Sequence, residues 1–157
     1  MASSLIRTVA IIAATLAFCA AAHAQSVGDR VEAGGITFEA LPPQELQAGE
    51  CGLFLWSKGT RPVFFLVAYD APAIVYVRDN GRPRRFNRSR FGGELVSGFF
   101  ERQTFVDGDI TLQLEIEFDE QRQIADGALI KQGVVRVTDK KGWRSIVPVT
   151  GIVGCKT

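Results

Sequence analysis

Histidine is almost absent from this chain: His23 is the only one in 157 residues, beside three cysteines and one methionine. Apolar runs are also scarce. Only Val9–Ala22 is uncharged over a long stretch, and it is too short for a membrane span of about 20 residues. It follows Arg7 and ends at Ala22-His23-Ala24, with small residues at the two positions a signal peptidase reads. The pattern predicts a cleaved signal peptide over residues 1–24 and one mature domain over 25–157, located in the periplasm or secreted. Cys19, preceded by the bulky Phe18, reads as part of the discarded apolar core rather than as a lipid attachment site.

Cleavage sharpens these absences. Residues 25–157 contain no histidine and only Cys51 and Cys155. Ser-His-Asp and Cys-His nucleophiles are excluded, together with the usual zinc and copper ligand sets. No nucleophile motif replaces them. The expectation is a protein that is not an enzyme and holds no metal or cofactor. Charge of one sign is lacking too. Loss of Arg7 takes Lys plus Arg from 18 to 17, equal to the 17 acids, so no net field draws the chain to nucleic acid or to an anionic membrane. The two remaining cysteines are 104 positions apart, and in an exported protein they predict one disulfide.

What is present is β pattern. Ile110, Leu112, Leu114, Ile116 and Phe118 alternate with polar residues, the period of a strand with one wet face. Cys51–Ser57 and Val63–Tyr69 are nearly continuous apolar runs suited to buried strands. Asp79-Asn80-Gly81 is a hairpin turn, because Asn-Gly accepts positive φ. Further strands are expected over 36–41, 73–78, 99–106, 128–138 and 143–147, with a short closing strand at 152–155. Residues 82–98 read as less regular, 44–50 as a connector with room for one helical turn, and 120–127 as a polar connector with some helical character. About eight short strands with tight turns predict an all-β fold, a small antiparallel barrel or sandwich.

Two charge clusters are the candidate sites. Arg78, Arg82, Arg84, Arg85, Arg88 and Arg90 fall close together with Asp79 as the sole acid among them. The planar guanidinium binds carboxylate or phosphate in bidentate fashion, so the run suits an anionic group or an acidic partner loop. A solvated hairpin edge is the plainer account. Asp107, Asp109, Glu115, Glu117, Asp119 and Glu120 form the acidic counterpart, available to pair with the arginines within or between molecules. Phe54, Trp56, Phe64, Phe65, Tyr69 and Tyr76 belong to central strands and read as core, or as the lining of a ligand-holding barrel.

Val96-Ser97-Gly98-Phe99-Phe100 resembles the Ser-Gly loop of the small periplasmic lysozyme inhibitors, which are exported, β-rich proteins with an early and a late cysteine. The likeness covers five residues, and the cysteine spacing here is longer than in that group. It implies contact roles for Ser97 and Gly98. Taken together, the residues point to a non-catalytic binding or structural module of the cell envelope. Its partner is expected to be a protein or a second copy, not nucleic acid, and its mature chain has no transmembrane segment. The alternatives are a carrier of a small apolar ligand and an inhibitor of a cell-wall hydrolase.

Overall fold

A computed structural model describes residues 30–68 and 73–157. The expected signal peptide and the expected strand end at Tyr69 lie outside these residues. Ten strands follow in order: β1 (Arg30–Ala33), β2 (Ile36–Glu39), β3 (Cys51–Trp56), β4 (Phe64–Val67), β5 (Ile74–Asp79), β6 (Arg82–Val96), β7 (Phe99–Asp107), β8 (Ile110–Ile124), β9 (Gly127–Thr138) and β10 (Arg144–Cys155). Among the described residues there is no helix, and hence none long and apolar enough to cross a membrane.

Strands β3 to β10 form a closed antiparallel barrel of eight. Each pairs with its neighbour in sequence, and β10 returns to β3 to complete the ring. Such closure removes the exposed edges that invite aggregation. Cys51 and Cys155 face each other across the β3–β10 seam and are bonded, the pairing expected from the sequence.

The core is the barrel interior. Leu53 and Leu55, Phe64 and Leu66, Val75 and Val77, Phe86, Phe105, Leu112 and Leu114, Val135 and Val137, and Val147 and Val149 are all buried. Their spacing of two along each strand puts them on one face of the sheet. The residual void between Leu55, Phe64, Phe105 and Val135 is about 10 Å³, room for no more than a single water.

The turns of β3–β4, β5–β6, β7–β8 and β9–β10 emerge at one end of the barrel. The β1–β2 hairpin lies over that end. Glu39 and Phe38 extend the edge of β5, while the Gly34 amide donates to Ser145 Oγ of β10 at 3.1 Å. A Cβ on Gly34 would stand 2.5 Å from Val137 of β9. In the ring β9 is diametrically opposite β5, so the hairpin spans the mouth. It buries Ile36 and Phe38 there, with the Phe38 ring 4.9 Å from Phe64.

Three local expectations are corrected. Residues 82–96 are not irregular but one continuous 15-residue strand. Arg82, Arg85 and Arg90 are exposed, Arg84 and Arg88 are half-buried, and Phe86 between those two is fully buried in the core. Residues 120–124 continue β8, pairing Gln123 with Ala128 and Ile124 with Gly127, so the connector is only the turn at Ala125-Asp126. Residues 44–50 hold a turn at 48–49 in place of a helical turn. Arg30–Ala33, for which no strand was expected, form β1.

Candidate functional site

The six arginines of the sequence cluster do not converge. Arg78 precedes the β5–β6 turn, and the remaining five are spread along β6. Arg82 and Arg90 alone are about 26 Å apart at the rise of an extended strand. Arg78 lies 3.6 Å from Glu39, and the Arg85 guanidinium sits 5.4 Å from the Tyr76 ring centre. Arg82 and Arg90 are exposed and make no ion pair among the described residues.

Arg84 has an internal task. Its Nε donates to Asp107 Oδ2 at 2.6 Å and its Nη1 to Asp79 Oδ2 at 3.2 Å, bridging the ends of β5, β6 and β7. Asp79 Oδ1 accepts from the Thr37 amide of the capping hairpin at 3.0 Å. One guanidinium thus ties the cap to the barrel rim.

Arg88 belongs to a different structure. Only residues 82–87 of β6 pair with β5; beyond them β6 continues with β7 as a projecting arm. Arg88 Nη1 donates to Gln103 Oε1 at 3.2 Å, and Gln103 Nε2 donates to the Phe100 carbonyl at 3.2 Å. Gln103 is 2% exposed, so these bonds satisfy an amide that burial would otherwise penalise. The guanidinium lies 5.0 Å from the ring centre of Phe91 and 5.7 Å from that of Phe100, and the two rings stack at 4.4 Å. Partial burial lowers the Arg88 guanidinium below the ordinary arginine value. The outer face of the stack is open: Phe91 is 61% and Leu95 49% exposed. Exposed aromatics beside arginine are the composition of interface centres.

The arm ends at Ser97-Gly98. Val96 pairs with Phe99, and both turn residues take positive φ (48° and 86°), the type I′ geometry of a two-residue hairpin. β7 and β8 pair only from Arg102–Glu115 to Asp107–Ile110. Past that point the β6–β7 and β8–β9 hairpins part, leaving a cleft of about 800 Å³ with Ser97 on its wall.

The acidic strand does not face the arginine strand. Its carboxylates are met by β9: Glu115 by Arg136 at 2.7 Å and Glu117 by Lys131 at 2.8 Å. Lys131 first, then Gln132, holds the Glu117 carboxyl below the ordinary carboxylate range, and Glu117 raises Lys131 in return. Asp119 accepts from the amides of Gln121 and Arg122. Of this group, among the described residues, only Asp107 reaches an arginine of the cluster. No group of three or more His, Cys, Asp or Glu is placed to hold a metal ion among the described residues.

Sequence reading missed Gln103 and the stack it anchors. Phe91 lies on β6 beside Arg88, but Gln103 and Phe100 come from β7, and nothing in β6 alone signals them. It also missed the exposed Trp143 and Ile146, whose setting in a strand pattern suggests core. No protein-family model matches this chain, and no curated protein or solved structure resembling it was found.

Proposed function

We propose that this protein is a non-catalytic binding module of the cell envelope that acts through a protein partner held by the β6–β7 arm. The observation that carries the reading is the arm's open stack: Phe91 and Leu95 are exposed on a hairpin that leaves the barrel, with Arg88 packed on the Phe91 ring. A soluble domain that keeps large apolar groups on a projecting, well-ordered element has use for them as contacts. The carrier alternative asks for interior space, and the barrel centre offers about 10 Å³.

The test is capture from envelope extract by wild type and by a Phe91→Ser, Arg90→Ser variant, at low and high salt. The partner should be retained by wild type and lost by the variant. Equal capture by both overturns the reading. The hydrolase-inhibitor alternative has its own assay: inhibition of a lysozyme that disappears on enlarging the tip, Ser97→Tyr, would replace the arm stack by the arm tip as the contact.

A further inference from the structure

At the opposite end of the barrel, the β9–β10 turn carries Lys140, Lys141, Gly142 and Trp143, and β10 opens with Arg144 and has Ile146 as its third residue. Trp143 is 73% and Ile146 63% exposed, the two most exposed large apolar side chains among the described residues. Lys140, Lys141 and Arg144 are exposed and make no ion pair among the described residues. The turn is not loose. Asp139 Oδ1 accepts from the amides of Lys141 and Trp143, the Asp139 amide donates to the Trp143 carbonyl, and Gly142 takes φ 81°. The one carboxylate of the turn is therefore spent on shaping it.

The surroundings add to the charge. The neighbouring turns place exposed Lys58 and Arg82 at the same end. The acids there are largely occupied: Asp79 and Asp107 by Arg84, Glu39 by Arg78, and Glu32 by Arg30, leaving Asp109 exposed. An indole and a branched alkyl group thus stand exposed among cations.

We propose that this tip is a membrane-surface anchor that seats Trp143 and Ile146 at the headgroup boundary of a bilayer containing anionic phospholipid. The indole is suited to that boundary, where one part of the ring is apolar and the N–H is wet. Lys140, Lys141 and Arg144 meet the lipid phosphates. An exposed ring and alkyl group standing among cations that are unpaired among the described residues match the layered chemistry of a headgroup boundary, apolar beneath anionic phosphate. Each cation near an anionic surface contributes about fivefold to partitioning. This surface lies at the other end of the barrel from the arm and does not depend on the function proposed for it.

The test is flotation of the exported protein with vesicles of phosphatidylglycerol and phosphatidylcholine, against phosphatidylcholine alone. Binding is expected to the anionic vesicles only, weakening as salt shortens the range of the charges. Lys140→Ser, Lys141→Ser and Arg144→Ser together should lower partitioning about a hundredfold. Tryptophan emission should shift blue on binding, and Trp143→Phe, which leaves only Trp56 as a reporter, should remove the shift. The Phe91→Ser, Arg90→Ser arm variant should bind vesicles as wild type does. No flotation of wild type with anionic vesicles overturns the proposal. So does equal flotation of wild type and the triple variant, or loss of binding in the arm variant alone.

Discussion

Cys51 and Cys155 are directly opposed residues on the first and last strands of the barrel, with their Cα atoms 3.9 Å apart. Antiparallel partners that exchange no backbone hydrogen bonds with each other are the close ones. Here the Cys51 carbonyl accepts from Ala68 and the Cys155 amide donates to Asp126, so neither bonds its opposite number through these groups. The disulfide therefore sits where the first and last strands of the barrel meet and the ring is closed.

Breaking that bond should loosen the seam before anything else. The chain-entropy account assigns a loop of this length at most about 4–5 kcal/mol. Cys51→Ser, Cys155→Ser should unfold at markedly lower denaturant than the oxidised wild type, with a similar folded-state far-ultraviolet spectrum. A denaturation midpoint equal to that of wild type would mean that strand pairing alone closes the ring.

Arginines of the cluster should separate sharply in their effect on stability. Arg84→Ala leaves Asp79 and Asp107 without their shared cation and costs about 1.5–3 kcal/mol, the range for hydrogen bonds to charged groups. Arg82→Ala, an exposed position without an ion pair, should stay within about 0.5 kcal/mol. Thermal or urea unfolding of the two variants checks this, and equal losses would show that Arg84 does not tie the cap to the rim.

The Glu117–Lys131 pair gives a pH signature. Glu117 is held below its ordinary value, so its contribution is present above the unfolded carboxylate value of about 4.3 and is lost as pH falls through the lower folded value. Lys131 is raised, so its contribution is present below the unfolded lysine value of about 10.4 and is lost as pH rises through the folded one. Both groups are well exposed, so the effect on stability is small and is better read at the site. In a carbon-13 titration, Lys131→Met should move the Glu117 midpoint upward, toward an ordinary glutamate. An unmoved midpoint would mean that Gln132 or solvent sets the shift.

These contrasts show which parts of the molecule were legible from sequence. The alternation at Ile110–Phe118, the Asn80-Gly81 turn and the two cysteines are local signals. Each states its own backbone geometry or pairing, and together they sufficed for an all-β fold, barrel or sandwich, with its disulfide; the pairing of β10 with β3 makes it the barrel. The β6 strand was obscured because its arginines and glycines dilute the alternation, leaving Phe86 as the single core residue of its first half. Site geometry was less accessible still. Arg84 and Arg88 look alike in the sequence, yet one is fixed by Asp79 and Asp107 and the other by Gln103 and two rings. That difference is decided by the register of β6 on β5 and β7, and register is a property of pairs of strands.

Register also fixes the last expectation. β10 must pair with β9 along its whole length and with β3 over residues 150–155, and its register against β9 slips between Val149 and Gly151. At Gly151 a Cβ would stand 2.2 Å from the Phe54 carbonyl oxygen and 2.7 Å from Leu55 Cδ2. The first of these is backbone of the neighbouring strand and cannot swing aside. Glycine is needed here because the strand bends sharply against its neighbour, as strands of small closed barrels do. Gly151→Ala should therefore force β10 away from β3 and cost about 1–3 kcal/mol, the range for overpacking. Hydrogen exchange should show the damage along the β3–β10 seam first, at the amides of residues 52–55 and 151–155, while the β6–β7 arm keeps its protection. Faster exchange spread evenly over all strands would instead place the strain in the barrel as a whole and not at this contact.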